Sequence, residues 1–227
     1  MRTIIFFCCI FLVTTTVSAQ QSAIPKKQQF GNFTIGFGNS EMSYSTSYYH
    51  NWNLGKKKKF FIGTGVRFTA ANAKNKNYTS APSNLAGEAT KMDTAFGANT
   101  SIYALNALLN MGYNISPKLQ IGFNIDLIGF SFGPEKTYQF QGSGLQNNTK
   151  ASPTPLNLLL VGTNDKGTLN SELYLQYKIK EKLGIKIGYQ HLFTEITTAT
   201  KVQSLPEPND RFRKISDLFN IGISYSF

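Results

Sequence analysis

The sequence is poor in charge and in cysteine, and it has no long apolar run. Charged residues make up only 15% of the 227 residues, which is too few for a coiled coil, while an aromatic content of 13% is too high for a disordered chain. A helical membrane protein would need several apolar runs of about eighteen residues or more, and the sequence contains none. What remains is a β-rich chain of one-domain length whose apolar residues are spread thinly.

Residues 1–19 are predicted to be a secretory signal peptide. Arg2 precedes the apolar stretch Ile4 to Val13, and Val17-Ser18-Ala19 resembles a cleavage site. The apolar stretch is too short to span a bilayer, which takes about twenty residues. The two cysteines, Cys8 and Cys9, both lie in this segment, so we expect neither disulfides nor thiol chemistry in the mature chain.

The rest of the sequence alternates between apolar and polar residues with a period of two. In the clearest stretch, Leu119 to Leu127, the odd positions are Leu, Ile or Phe, and the even positions are Gln, Gly, Asn and Asp. Alternation over nine residues predicts a strand with one apolar face. Seven further stretches show the same pattern, at residues 33–37, 42–52, 60–68, 103–113, 169–179, 183–190 and 219–227. The sequence therefore predicts eight strands.

The connections between these strands alternate between short and long. Residues 54–59, 114–118 and 180–182 form tight connections, residues 71–100, 133–167 and 201–214 form long ones, and the hairpin at 39–41 is a short exception. This alternation is typical of an up-and-down transmembrane barrel with short periplasmic turns and long outer loops. The predicted fold is therefore all-β, an eight-stranded antiparallel up-and-down transmembrane β-barrel. The alternative is ten strands, with an extra hairpin between residues 137–141 and the apolar patch Leu156 to Val161.

Alternation does not by itself say which face of the barrel points outward. A soluble ligand-binding barrel turns its apolar face inward and covers its outside with Lys and Glu. Here the polar positions are mostly Gly, Ser, Asn, Gln and Thr, which suit the narrow interior of an eight-stranded barrel. Aromatic residues gather near the strand ends expected on the periplasmic side, at Trp52, Tyr113, Tyr177, Tyr225 and Phe227. We therefore expect the apolar face to contact lipid.

The signal segment, the eight alternating stretches and the final Phe-Asn-Ile-Gly-Ile-Ser-Tyr-Ser-Phe resemble a small bacterial outer-membrane β-barrel of the OmpA/OmpX-like, porin-family type, without a peptidoglycan-binding domain. The resemblance implies a bacterial outer-membrane location, reached through the periplasm. It also implies that the barrel-assembly machinery reads the last strand, through Phe219, Ile221, Ile223, Tyr225 and Phe227. The predicted organisation is a signal peptide at 1–19, a short periplasmic segment at 20–29 and the barrel at 30–227.

Four ionisable residues fall on positions predicted to face the lumen, namely Arg67, Asp126, Glu172 and Lys186. The first three lie at about the same depth along their strands, and Lys186 lies about one layer lower. A single unpaired charge in such an interior would cost several kcal/mol, so we expect a structural ion-pair network. A gate or a proton-linked path through the barrel is the alternative interpretation.

No catalytic, cofactor or metal site is predicted. Two histidines without a mature cysteine are too few for a conventional zinc site, and neither Gly36-Phe-Gly38 nor Gly63-Thr-Gly65 extends into a dinucleotide-binding motif. His191 would suit a lipid hydrolase only with a serine beside it, and that serine is missing. His191 and His50 are therefore interpreted as interfacial residues.

The net charge of +11 predicts anionic partners. The Lys56–Lys59 run falls in a periplasmic turn, where it would be solvated or would touch lipid headgroups. The cations of the outer loops would meet phosphates of lipopolysaccharide, and no nucleic-acid partner is expected after a secretory signal. The predicted function is that of a monomeric, non-enzymatic barrel with a structural, envelope-integrity or surface-interaction role. A narrow channel or transporter for a small solute is the alternative.

Ile187→Arg, on the predicted lipid face, is expected to lower the free energy of unfolding by about 2–4 kcal/mol, because it places a charge in hydrocarbon. Gln190 lies on the predicted lumen face, so Gln190→Asn is expected to have little effect. Urea unfolding of the refolded protein in detergent or lipid measures both changes. Equal losses at the two positions would contradict the assignment of inside and outside.

Overall fold

A computed structural model describes residues 24–142, 145–160 and 164–227. The predicted signal peptide with both cysteines, and Val161 of the apolar patch, lie outside these ranges. The described residues form eleven strands and one short helix. The elements are β1 (Lys27–Gly38), β2 (Glu41–Leu54), β3 (Phe60–Ser80), α1 (Ser83–Ala86), β4 (Thr94–Asn114), β5 (Leu119–Phe132), β6 (Lys136–Gly142), β7 (Leu145–Pro153), β8 (Leu156–Leu158), β9 (Leu169–Lys178), β10 (Leu183–Thr198) and β11 (Arg211–Ser226). Within the described ranges, no helix has both the length and the apolar character needed to cross a bilayer.

Eight strands close into an antiparallel ring in the order β1–β2–β3–β4–β5–β9–β10–β11. The ring closes where β1 pairs with β11, from Phe30 opposite Ser226 to Phe37 opposite Phe219. The predicted eight-stranded up-and-down barrel is thus confirmed. β1 begins at Lys27 rather than at the predicted barrel start, Phe30, because backbone pairing with β2 continues to Lys27 opposite Trp52.

The two ends of the ring differ in their connections. The start of β1, the end of β11 and the tight connections at 55–59, 115–118 and 179–182 lie at one end, which we call the turn end. The opposite end carries all the longer connections, and we call it the head end.

Mostly polar side chains fill the ring, with small apolar clusters among them, and apolar side chains cover it. Asn51, Asn124 and Gln176 are buried inside, whereas Ile187 and Ile221 on the outer face are 41% and 49% exposed. Exposed apolar residues recur on all eight strands and form a continuous band around the barrel. Such a band is stable only in hydrocarbon, so the ring has the character of a transmembrane barrel.

Beyond the band, the barrel continues as a second and smaller ring. β3 and β4 have 21 residues each, roughly 70 Å of extended chain, whereas a spanning strand needs about 9–11 residues. β1 and β2 stop short of this level, and β3 pairs directly with β11 above them. The β6–β7 hairpin fits between β4 and β10. Strands β3, β4, β6, β7, β10 and β11 therefore close a six-stranded ring, which we call the head.

The interior of the head is an apolar core. Tyr78, Tyr138, Phe140 and Phe212 are at most 2% exposed and pack against one another, with ring centroids 5.8 Å apart for Tyr78–Tyr138 and 6.0 Å apart for Phe140–Phe212. Outward positions on the β6–β7 hairpin, such as Gln139, are exposed and polar. Since water surrounds the head, burial of its apolar side chains stabilises it in the same way as a soluble domain.

The inside–outside pattern reverses within β3 and β4. In β3 the inward positions are odd-numbered up to Ala71 and even-numbered from Tyr78 onward, and Asn75 between them has a left-handed backbone with φ of 53°. In β4, the consecutive residues Ala98 and Asn99 are both exposed at the same level. Because both strands change parity together, their pairing register continues from the membrane ring into the head.

The three predicted long loops are therefore largely wrong. Residues 71–100 contain the ends of β3 and β4, residues 133–167 contain β6, β7 and β8, and β11 starts at Arg211 within the predicted loop 201–214. These stretches did not match the pattern of lipid-facing strands because their polar side chains point outward. The hairpin of the ten-strand alternative, between residues 137–141 and the patch that starts at Leu156, is wrong, because residues 136–142 pair with residues 145–151 and join the head. Leu156–Leu158 pairs instead with β5.

Phe140→Ala is expected to lower the free energy of unfolding by about 3–5 kcal/mol, because it leaves a cavity in the head core. The matched control is Phe130→Ala on β5, whose side chain is 52% exposed and which should lose much less. Urea unfolding in detergent micelles measures both variants. A larger loss for Phe130→Ala would contradict the proposed core.

Candidate functional site: the closed lumen

The four ionisable residues predicted for the lumen meet inside the eight-stranded ring. Arg67 extends from β3, Asp126 from β5, Glu172 from β9 and Lys186 from β10, and all four side chains are buried. Each occupies an inward position of its strand. The closed ring thus brings together residues that are up to 119 positions apart in the sequence.

The four side chains form one continuous ion-pair chain. Arg67 Nη2 lies 2.6 Å from Asp126 Oδ1, and Arg67 Nε lies 3.1 Å from the same oxygen. Arg67 Nη1 lies 3.8 Å from Glu172 Oε2, and Lys186 Nζ lies 2.6 Å from that same Glu172 oxygen. Two cations and two carboxylates alternate, so the cluster is electrically neutral.

Asparagine side chains complete the hydrogen bonding of the carboxylates. Asn106 Nδ2 donates to Asp126 Oδ2 at 2.8 Å, and Asn220 Nδ2 donates to Glu172 Oε1 at 2.8 Å. Asn124 accepts from Arg67 Nη1 at 2.7 Å and donates to Glu172 Oε2 at 2.7 Å. Every carboxylate oxygen in the cluster therefore accepts at least one hydrogen bond, which offsets the cost of burying the charges. These asparagines were not predicted to join the cluster, although all three occupy inward positions like the charged residues.

Two inward tyrosines fill the space beside the lysine. Lys186 Nζ lies 4.3 Å from the ring centroid of Tyr174 and 5.5 Å from that of Tyr49, within the range of cation–π attraction. Gly122, opposite Tyr174 on β5, makes room for this ring, because a Cβ there would lie 2.4 Å from it. The lumen at this level is filled by side chains.

A second closure lies between the ion-pair cluster and the head. Ala71, Leu192 and Leu218 pack together in the lumen, and the head core follows above them. The space between these two layers, lined also by Ile102 and Glu41, measures about 10 Å³. That volume is room for one water molecule at most.

The outer face carries a polar cluster at the upper edge of the apolar band. His191 Nδ1 lies 2.6 Å from Asp217 Oδ1, and the same oxygen accepts a hydrogen bond from Tyr189 at 2.6 Å. Phe193 packs edge-on against the His191 ring, with centroids 5.0 Å apart. Asp217, the cross-strand partner of His191 on β11, was not predicted from the sequence. The expectation that no serine lies beside His191 was wrong, because Ser171 is its cross-strand partner on β9. Among the described residues, no group of three His, Cys, Asp or Glu side chains is arranged to hold a metal ion.

The residues predicted to form the assembly signal share the outer face of β11. Phe219, Ile221, Ile223, Tyr225 and Phe227 are all exposed. The strand that carries them pairs with β1 and closes the ring. Their role in assembly stays a prediction.

Arg67→Met is expected to lower the free energy of unfolding by about 3–5 kcal/mol, because it leaves two buried carboxylates without their shared cation. Adding Asp126→Asn should recover part of this loss, since one of the uncompensated charges is then removed. A double-mutant cycle by urea unfolding measures the coupling. Additive losses for the two substitutions would show that the pair contributes no coupling.

No protein-family profile and no curated protein matches the sequence. Among solved structures, the chain is similar to Neisserial surface protein A, with 9% identity over 88% of this chain and 96% of that chain and a TM-score of 0.39. It is also similar to Ail, the attachment invasion locus protein of Yersinia pestis, with 9% identity over 88% and 95% of the two chains and a TM-score of 0.36. The chain is similar as well to the Ralstonia pickettii toluene transporter TbuX, with 9% identity over 89% of this chain and 78% of that chain and a TM-score of 0.24. The resemblance to small outer-membrane barrels holds at the level of fold, which rests on the closed eight-stranded ring and its apolar band.

Proposed function

We propose that this chain is a non-enzymatic integral protein of the bacterial outer membrane, exported through the periplasm, with a structural, envelope-integrity or surface-interaction role. The closed lumen is the observation that carries this proposal. The buried cluster of Arg67, Asp126, Glu172 and Lys186 fills the ring at one level, and apolar side chains fill it at two levels above. A solute would have to displace all three layers in order to pass.

The head supports a role at the cell surface. Its six strands pair with one another all the way around. Two arginines on β11 also connect the segment before β9 to strand β10 of the head. Arg211 and Arg213 bind the buried Glu195 at 2.7 Å each, and both also donate to the backbone carbonyl of Asp165. A partner would therefore meet a preformed surface, which costs less conformational entropy on binding than flexible loops would.

The proposed partners follow from the two surfaces of the barrel. The apolar band contacts membrane lipid, and exposed head-end lysines such as Lys74, Lys136 and Lys201 are available to lipopolysaccharide phosphates. The last strand would be read by the barrel-assembly machinery. A monomer is proposed because every strand of the membrane ring is paired on both sides, so no strand edge of that ring requires a second copy.

We propose that the protein has no catalytic activity, and this proposal rests on the side chains that surround His191. Acyl transfer to lipid would need a nucleophile beside the histidine. The His191 ring contacts Asp217 and Phe193, and the serine opposite it on β9, Ser171, donates its hydroxyl to the backbone carbonyl of His191 at 3.4 Å. We interpret the cluster as a polar anchor at the boundary between hydrocarbon and headgroups.

Planar-bilayer recordings of the refolded protein test the closed lumen. The wild-type protein is expected to give no stable single-channel steps, because the lumen is filled at three levels. Arg67→Ala is the comparison variant, because a solute that crosses the ion-pair cluster would have to contact Arg67. Stable steps in the wild-type protein that Arg67→Ala abolishes would favour the alternative, a narrow channel or transporter for a small solute.

A further inference from the structure

Nearly all of the net positive charge of the described chain lies at the turn end. Ten lysines gather there against one acidic residue, Glu181, which gives a net charge of +9. The lysines are Lys26, Lys27, the run Lys56–Lys59, Lys118, Lys178, Lys180 and Lys182. At the head end, ten lysines and arginines face nine aspartates and glutamates, and the lumen is balanced. The outer loops are therefore close to neutral, contrary to what the basic composition suggested.

The two ends also differ in how their cations are paired. At the head end, Lys91 lies 2.8 Å from Glu88, Lys150 lies 3.1 Å from Glu135, and Arg211 and Arg213 share Glu195. Across residues 24–142, 145–160 and 164–227, none of the ten turn-end lysines forms an ion pair. Seven of the ten are exposed. Like charges crowded in this way repel one another unless an external anion neutralises them.

Nine of the lysines are spread around the rim next to the apolar band, whereas Lys178 occupies an inward position of β9, with its Nζ 5.6 Å from the centroid of the buried Phe30 ring. The nine occupy the start of β1 and each of the three tight connections, so every sector of the ring carries some. Lys59 Nζ lies 5.6 Å above the ring of Tyr113, and Lys27 is paired with Trp52 across β1 and β2. A lysine in this position can rest its aliphatic stem on the aromatic girdle and extend its ammonium group to the headgroup level.

We propose that this lysine rim binds anionic phospholipid headgroups of the leaflet that surrounds the turn end. Lipid surrounds a barrel on every side, so a ring of lysines around the whole rim suits lipid headgroups. A single protein partner would need a charged patch on one side only. The net charge of +9 against an almost neutral head makes the two leaflet contacts chemically different. In the outer-membrane orientation of the proposed function, on which the identity of the leaflet rests, the rim faces the inner leaflet.

Trp52 is a natural reporter for this site. It is the single tryptophan of the chain, it is 38% exposed on the outer face, and it lies two residues before the end of β2. Quenching of its fluorescence by phospholipids with brominated chains reports which headgroup gathers at the rim. We expect brominated phosphatidylglycerol to be preferred over brominated phosphatidylcholine by about fivefold, on the order of the attraction of one lysine to an anionic surface. In 1 M salt, where screening acts beyond about 3 Å, the preference should fall toward one.

The variants compare two sets of three lysines. Lys56→Gln, Lys57→Gln and Lys59→Gln together should remove most of the preference, and Lys58 is kept because its φ of 50° is left-handed. The control set Lys74→Gln, Lys136→Gln and Lys201→Gln removes the same charge from exposed head-end positions and should leave the preference unchanged. Circular dichroism verifies that both variants keep their β structure, and the salt titration of the wild-type protein needs no variant.

Three results would overturn the proposal. They are a wild-type preference near one, an equal loss in the control set, and a preference that persists in 1 M salt. Binding of soluble peptidoglycan fragments that is lost in the turn-end variant, without any lipid preference, would identify a polymer as the occupant instead. None of these results depends on conductance, so failure of this proposal is distinguishable from failure of the closed-lumen function.

Discussion

Hydrocarbon offers no partner to backbone N–H and C=O groups, and this constraint governs the whole structure. A sheet can satisfy it only by closing on itself, as β1 does against β11. Once the ring is closed with eight strands, its interior is too narrow for a solvent-filled pore and must be packed with side chains. The outward apolar band and the inward polar filling are then two consequences of one closure.

The membrane ring could be predicted from the sequence because lipid imposes a single rule on every strand. Apolar side chains must point outward at every second residue, and Leu119 to Leu127 follow that rule without exception. The same parity placed Arg67, Asp126, Glu172 and Lys186 inside, where the structure has them. The contacts among them depend on strand stagger, which alternation does not encode, so the asparagines and tyrosines that complete the cluster were not foreseen.

The head could not be predicted by that rule because its surroundings are different. Above the band the solvent is water, so Tyr78, Phe140 and Phe212 turn inward and the polar residues turn outward. β3 continues into the head, but its inward positions change from odd-numbered to even-numbered near Asn75. Alternation typical of a lipid-facing strand therefore stops there, and the sequence predicted a loop where the strand goes on. The charge distribution was missed for a related reason, since a sum over the sequence does not show which end of a barrel each lysine occupies.

Alternation in both rings also keeps every apolar run short. An interior packed with leucine and isoleucine would stabilise the membrane ring, since well-packed apolar residues often equal or exceed a buried ion pair. Combined with an apolar exterior, however, it would turn each strand into a continuous apolar segment, and runs of about eighteen such residues are what a membrane-spanning helix requires. A neutral cluster whose carboxylate oxygens all accept hydrogen bonds fills the lumen without creating such runs. The buried charges are thus a filling compatible with strands whose outer face is apolar and whose inner face is mostly polar, and their presence does not require a transported ion.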